Sequence, residues 1–188
     1  MINLRYVALT LDLFDPTDGQ PPIGITEANS VTGSPILSQD GGLLAAVGPS
    51  DNTMTLWNVR TPERPHVLAT APVLPGVQEI NFDSNGKRVA DNNNQTLELW
   101  DIANPTAPVH EATISFQSPG TNTPETIYSA GFTEPNGPLA VVANDSIILL
   151  DTSAEEIADQ LCSEAITAIT PEQWQKYSHG IPYQKPCG

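Results

Sequence analysis

The sequence predicts an all-β protein in which one small sheet recurs roughly three and a half times, followed by a short helical tail. Three observations carry this. The phrase Thr96-Leu97-Glu98-Leu99-Trp100-Asp101-Ile102 returns as Thr53-Met54-Thr55-Leu56-Trp57-Asn58-Val59 at an interval of 43 residues. A polar turn closing on Gly stands before each copy. Finally, 18 Pro and 13 Gly with only 15% charged residues suit short strands joined by turns, not long helices.

The strongest copy is the stretch 92–102. Leu97, Leu99 and Asp101 alternate to one side of a strand, and Thr96, Glu98, Trp100 and Ile102 to the other. Both sides carry apolar residues, so the strand is expected between two packed layers. A further copy, Thr10-Leu11-Asp12-Leu13-Phe14-Asp15-Pro16, places Phe14 in the Trp position 43 residues before Trp57. In the last copy, Ser146-Ile147-Ile148-Leu149-Leu150-Asp151-Thr152, Leu150 holds that position, 50 residues after Trp100. The loop 117–125, QSPGTNTPE, accounts for the longer last interval.

Before these strands stand Asp40-Gly41-Gly42, Asp83-Ser84-Asn85-Gly86 and Glu134-Pro135-Asn136-Gly137. Each follows an apolar strand end and precedes a second apolar strand, and Asp-Gly and Asn-Gly steps supply the positive φ of a tight hairpin. Strand, turn, strand, loop, strand ending in Trp-Asp and a variable fourth strand resemble the WD40 β-propeller family, whose period this interval matches. The resemblance runs from about residue 10 to residue 152. The full Trp-Asp pair stands only at Trp100-Asp101, and the family's Gly-His step is absent, so the repetition is what carries the likeness.

Taken in order, residues 1–34 are expected to be a partial blade, with its second strand over 6–9, its third over 10–15 and an outer strand near 23–26. Its innermost strand has no room before Met1. A second blade is expected over 35–75 with its fourth strand at 66–71, and a third over 76–116 with its fourth at 109–115. The last, over 126–152, has three strands: 126–132, 139–144 and 146–151. The repeat positions Phe14, Asp15, Trp57, Asn58, Trp100, Asp101, Leu150 and Asp151 are read as structural, the large side chains filling the space between neighbouring sheets.

The tail, 153–188, reads as helical. Ser153 followed by Glu156 forms a capping box, with Ile157, Ala158, Leu161 and Cys162 on one face. Thr170, Pro171 and Gln173 open a second helix bearing Trp174 and Tyr177. Gly180, Pro182 and Pro186 enforce an extended end. This order, with Cys162, Trp174, Tyr177, Pro182, Tyr183, Pro186 and Cys187, resembles the tail of large bacterial WD40 proteins. Such proteins carry the propeller behind another domain, an NTPase, a protease or a kinase, and the resemblance implies a sensor or scaffold role.

An arc of this size leaves two sheet faces open, which favours association. Two explanations compete: the chain is the C-terminal part of a longer protein, or two chains close one ring. The missing clasp strand favours the first.

A net charge of −15, from 22 acidic against seven basic residues, opposes a phosphate backbone and argues against nucleic acid. The charge is spread along the chain and reads as solubility. The apolar runs are strand-sized, so no membrane contact is expected, and the N-terminus lacks a signal peptide's cleavage region. The expected location is cytoplasmic. There, Cys162 and Cys187 are read as two reduced, packed thiols, while a bridge between them is the alternative in an oxidising space.

Catalytic chemistry finds no support. His66 and His110 open outer strands, where surface residues are expected, and neither they nor His179 have zinc spacing with the cysteines. Asp12, Asp15, Asp18 and Gly19 lack the alternation of a calcium loop, and Asp83-Ser84-Asn85-Gly86 is better explained as the hairpin turn. No cofactor or metal is expected. The reading is a non-catalytic interaction module with a protein partner of unknown identity. The alternatives are a propeller enzyme or cofactor-binding propeller, which needs His, Asp or Arg converging at the inner strands, and a homodimeric structural ring.

Overall fold

The computed structural model describes residues 3–7, 10–14, 19, 21, 23–25, 32–48, 52–118, 120–121, 123–134, 137–144, 146–152 and 162–163. The chain divides into two compact units, Met1–Leu150 and Asp151–Gly188.

The first unit is four antiparallel sheets in sequence order. Sheet one is β1 (Asn3–Val7), β2 (Thr10–Phe14) and β3 (Ile23–Ile25). Sheet two is β4 (Thr32–Leu37), β5 (Leu43–Val47), β6 (Thr53–Asn58) and β7 (His66–Pro72). Sheet three is β8 (Glu79–Phe82), β9 (Arg88–Asn92), β10 (Thr96–Asp101) and β11 (Val109–Ser115). Sheet four is β12 (Ile127–Phe132), β13 (Leu139–Ala143) and β14 (Ser146–Leu150). Each strand pairs with the next within its sheet, the meander of a propeller blade. The expected strands are present, although β1 begins at Asn3, earlier than the expected second strand of the first blade.

The repeat extends to single hydrogen bonds. Gly41 N donates to Ser38 O at 2.8 Å and Gly86 N to Asp83 O at 3.0 Å, each Gly at positive φ, 69° and 64°. Such a backbone is cheap only for a residue without Cβ. The next turn of sheets two, three and four carries a left-handed Asn instead: Asn52, Asn94 and Asn144. Ladders shift register between Leu56 and Trp57 and again between Leu99 and Trp100, so both Trp residues sit at a β-bulge against the outer strand.

Among the described residues, two cores lie between sheets. Ala45, Val47, Met54 and Leu56 of sheet two pack with Ile80, Val89, Trp100 and Ile102 of sheet three. Ala90, Leu97 and Leu99 on the other side of sheet three pack with Ile127, Leu139, Val141 and Ala143 of sheet four. The strand β10 therefore feeds both layers, which is why its two faces are apolar.

In the second unit, Cys162 and Ser163 are helical. Cys162 is disulfide-bonded, which overturns the expectation of a reduced thiol there. Cys187, the other cysteine of the sequence, lies outside the described residues, as do Trp174, Tyr177 and both proposed helix starts. Among the described residues no helix is long and apolar enough to cross a membrane.

Candidate functional site

The innermost strands β4, β8 and β12 stand side by side and frame an open concavity of about 350 Å³. Pro35, Ile36, Gln78, Glu79, Asn81 and Tyr128 line it. Tyr128 and Gln78 are exposed, whereas Glu79 and Asn81 are half-buried. Both half-buried residues bind across the joint between sheets three and four. Glu79 accepts from Ala130 N at 3.1 Å and Ser129 Oγ at 3.2 Å, and from Asn92 Nδ2 of its own sheet at 3.3 Å. Asn81 Nδ2 donates to Ala130 O at 2.8 Å. The polar groups of this wall thus fix β12 against β8, leaving Tyr128 and Gln78 as its accessible side chains.

A second cluster surrounds Trp100. Its Nε1 donates to buried Asp91 Oδ2 at 2.9 Å, and its ring meets that of His110 edge-on at 4.9 Å. Asp91 pairs across the ladder with Glu98. Glu98 in turn accepts from Leu74 N at 2.9 Å and lies 3.3 Å from His110 Nε2. Burial, and then the Glu98 charge, push Asp91 up to about 7, while the Trp100 hydrogen bond works in the opposite direction. In this cluster sequence reasoning found Trp100 and missed Asp91. The available signal was Glu98, a carboxylate alternating onto the same strand face as Trp100. His110 is exposed as expected, but it leans on the Trp100 ring and Glu98 and is not an isolated surface side chain.

The expected repeat positions fall as follows. Trp57 and Trp100 are buried, and Leu150 is half-buried on β14. Asn58 Oδ1 accepts from Arg60 N at 3.0 Å and Asp101 Oδ1 from Ala103 N at 2.8 Å, so the residue after each Trp closes the same short turn. Asp151 is exposed. Phe14 lies opposite Asn3 on β2, in the register that Trp57 and Trp100 hold opposite Leu44 and Val89. Asp15 and Asp18 lie outside the described residues. Asp83 Oδ1 accepts from Lys87 N at 2.8 Å and Arg88 N at 3.1 Å, which ties the Asp83–Gly86 hairpin turn to the strand that follows it.

Among solved structures, the chain is similar to the β-propeller domain of Cps50 (Swd1) from Myceliophteria thermophila. The TM-score is 0.55 at 13% identity, over 77% of this chain and 54% of that one. It is also similar to dihydro-heme d1 dehydrogenase NirN in complex with DHE (TM-score 0.58, 14% identity, 78% of this chain and 30% of that one). The RRP9 WD40 repeats match at a TM-score of 0.50 and 15% identity, over 65% of this chain and 36% of that one. The chain thus spans about a third to a half of the proteins it resembles. No protein-family model and no curated protein sequence matches it. The four meander sheets and these likenesses together show a β-propeller fold. That fold is a rigid frame on which interaction surfaces are commonly built.

Proposed function

We propose that the chain is a non-catalytic protein-interaction module that presents the concave wall of β4, β8 and β12 to a protein partner. The observation that carries this reading is the division of labour on that wall. Glu79 and Asn81 hold neighbouring sheets together, while Tyr128 stands exposed beside them. An exposed aromatic on a rigid frame is the side-chain type that dominates binding hot spots.

The enzyme alternative needs ionisable groups converging on the same wall. Among the described residues lining the concavity Glu79 is the one carboxylate, and its oxygens already accept hydrogen bonds from Ala130, Ser129 and Asn92. The likeness to NirN concerns fold alone.

Affinity capture from the source cell, then titration of the purified candidate partner by calorimetry, tests the proposal. Tyr128→Ala should weaken binding about tenfold or more while leaving thermal stability near wild type. A partner that binds Tyr128→Ala as tightly as wild type does not use this wall, and the reading then fails.

A further inference from the structure

The two strands that flank β8 on the concave wall are both irregular. The ladder of β12 on β13 shifts register between Ile127 and Ser129, so Tyr128 is the extra residue of a bulge and is 64% exposed. The ladder of β4 on β5 shifts between Thr32 and Ile36, a stretch that contains Pro35. Between them β8 keeps an unbroken register with β9 from Glu79 to Phe82. A bulge takes a residue out of the cross-strand pairing and re-aims its side chain. Tyr128 is thereby presented at the concavity with Pro35, Ile36, Gln78, Glu79 and Asn81.

The polar groups of this wall have acceptor capacity to spare. Glu79 Oε2 accepts from Ala130 N at 3.1 Å and Asn92 Nδ2 at 3.3 Å. Its Oε1 accepts, among the described residues, from Ser129 Oγ alone, at 3.2 Å. A carboxylate oxygen takes about two donors, so Oε1 has room for one more. Asn81 Nδ2 donates to Ala130 O, while its Oδ1 has no partner among the described residues. Ser129 links the bulge to the carboxylate, since it follows Tyr128 in sequence and bonds to Glu79. No Lys or Arg is among the described residues lining the concavity, in a chain of net charge −15.

We propose that the protein partner enters this concavity with a cationic side chain, Lys or Arg. This deepens the reading of the wall as an interaction surface and rests on it. The cation donates to Glu79 Oε1 and Asn81 Oδ1, and the Tyr128 ring covers it from the side. Its apolar stem meets Pro35 and Ile36. A concavity of about 350 Å³ has room for one such side chain with its adjoining backbone. The negative charge of the chain steers a basic segment towards it and repels an acidic one.

Nuclear magnetic resonance on the full, nitrogen-labelled chain tests this with the N-acetyl methylamides of arginine and lysine as probes. The citrulline analogue, close to arginine in shape but uncharged, is the control. A cationic amide should shift the backbone signals of Gln78, Glu79, Asn81 and Tyr128 and saturate with a Kd on the order of a millimolar. The citrulline amide should bind about tenfold more weakly. Glu79→Gln should weaken the cationic amide about tenfold, and Tyr128→Leu, a change at an exposed position, about threefold. Glu63→Gln, the same loss of charge on the exposed loop between β6 and β7, should leave binding unchanged. If Glu79→Gln does not fold, Tyr128→Leu and the citrulline comparison decide.

Shifts that grow without saturating, or that persist equally in Glu79→Gln and Tyr128→Leu, overturn the inference. Citrulline amide binding as tightly as arginine amide overturns it too. The underlying reading fails separately, when a captured partner is indifferent to Tyr128→Ala. A partner weakened by Tyr128→Ala but not by Glu79→Gln leaves the interaction wall standing and removes the cation.

Discussion

Trp100 Nε1 donates to Asp91 Oδ2 at 2.9 Å, while Trp57, its counterpart one repeat earlier, has no partner for Nε1 among the described residues. The difference traces to one position. Asp91 stands two residues beyond Val89, which faces Trp100; two residues beyond Leu44, which faces Trp57, stands Ala46. The repeat keeps the indole as a space-filling wedge, but only sheet three gives it an acceptor.

The two Trp residues should therefore respond differently to loss of the indole N–H. Trp57→Phe removes an unsatisfied donor along with some volume, whereas Trp100→Phe leaves a buried carboxyl without its donor. The Trp100 variant should be less stable than the Trp57 variant by about 1–3 kcal/mol in urea denaturation. Equal losses would mean that the bond to Asp91 contributes nothing net.

Asp91 carries a pH dependence of definite sign. Its value rises from 3.8 to about 7 on folding, so the native state keeps a proton that the unfolded chain releases. The resulting stability is fully present below the unfolded value and is lost as pH rises through the folded one. Wild type should lose roughly 2–4 kcal/mol between about pH 4 and pH 8 through this group. Asp91→Asn keeps an acceptor for Trp100 and should flatten that part of the curve, making the variant the more stable chain at the alkaline end. Parallel wild-type and variant curves would show that Asp91 does not hold the proton.

The sheets were legible from residues because their signals are local. Alternation in 96–102, Gly at the hairpin turns and the interval between Trp57 and Trp100 specify strands, turns and repeat without any long-range information. The cross-sheet contacts were not legible. Glu79 reaches Ser129 and Ala130, some fifty positions away, and no periodicity marks which polar residue of an inner strand turns toward the next blade. Glu98 was visible as a charge on the Trp100 face, yet its partners Leu74 N–H and His110 come from a loop and a bulged outer strand whose register a sequence does not reveal. The state of Cys162 depended on compartment, which composition left open.

The disulfide at Cys162 makes a direct chemical prediction. Iodoacetamide should not modify this residue in the native, unreduced chain, and should do so after reduction, as read by mass spectrometry of its peptide. Reduction should also lower the thermal midpoint of the unit that contains it, since native disulfides typically contribute about 2–4 kcal/mol. Labelling without reductant would restore the reduced-thiol reading that a cytoplasmic location implies.

Glu79 is where the fold and the proposed site meet, so its variants separate structure from binding. Glu79→Ala strips the acceptor from Ala130 N–H and Ser129 Oγ at the joint of sheets three and four. A buried donor such as Ala130 N–H left without a partner costs about 1–3 kcal/mol, and the loss should appear in chemical denaturation. Gln78→Ala, exposed on the same wall, should stay within roughly 0.5 kcal/mol of wild type. Glu79→Gln retains one acceptor oxygen and should fall between the two. If Glu79→Ala and Gln78→Ala were equally stable, Glu79 would not be fastening β12 to β8. Its carboxylate would then be free for a ligand, and the wall would have to be reconsidered as a chemical site.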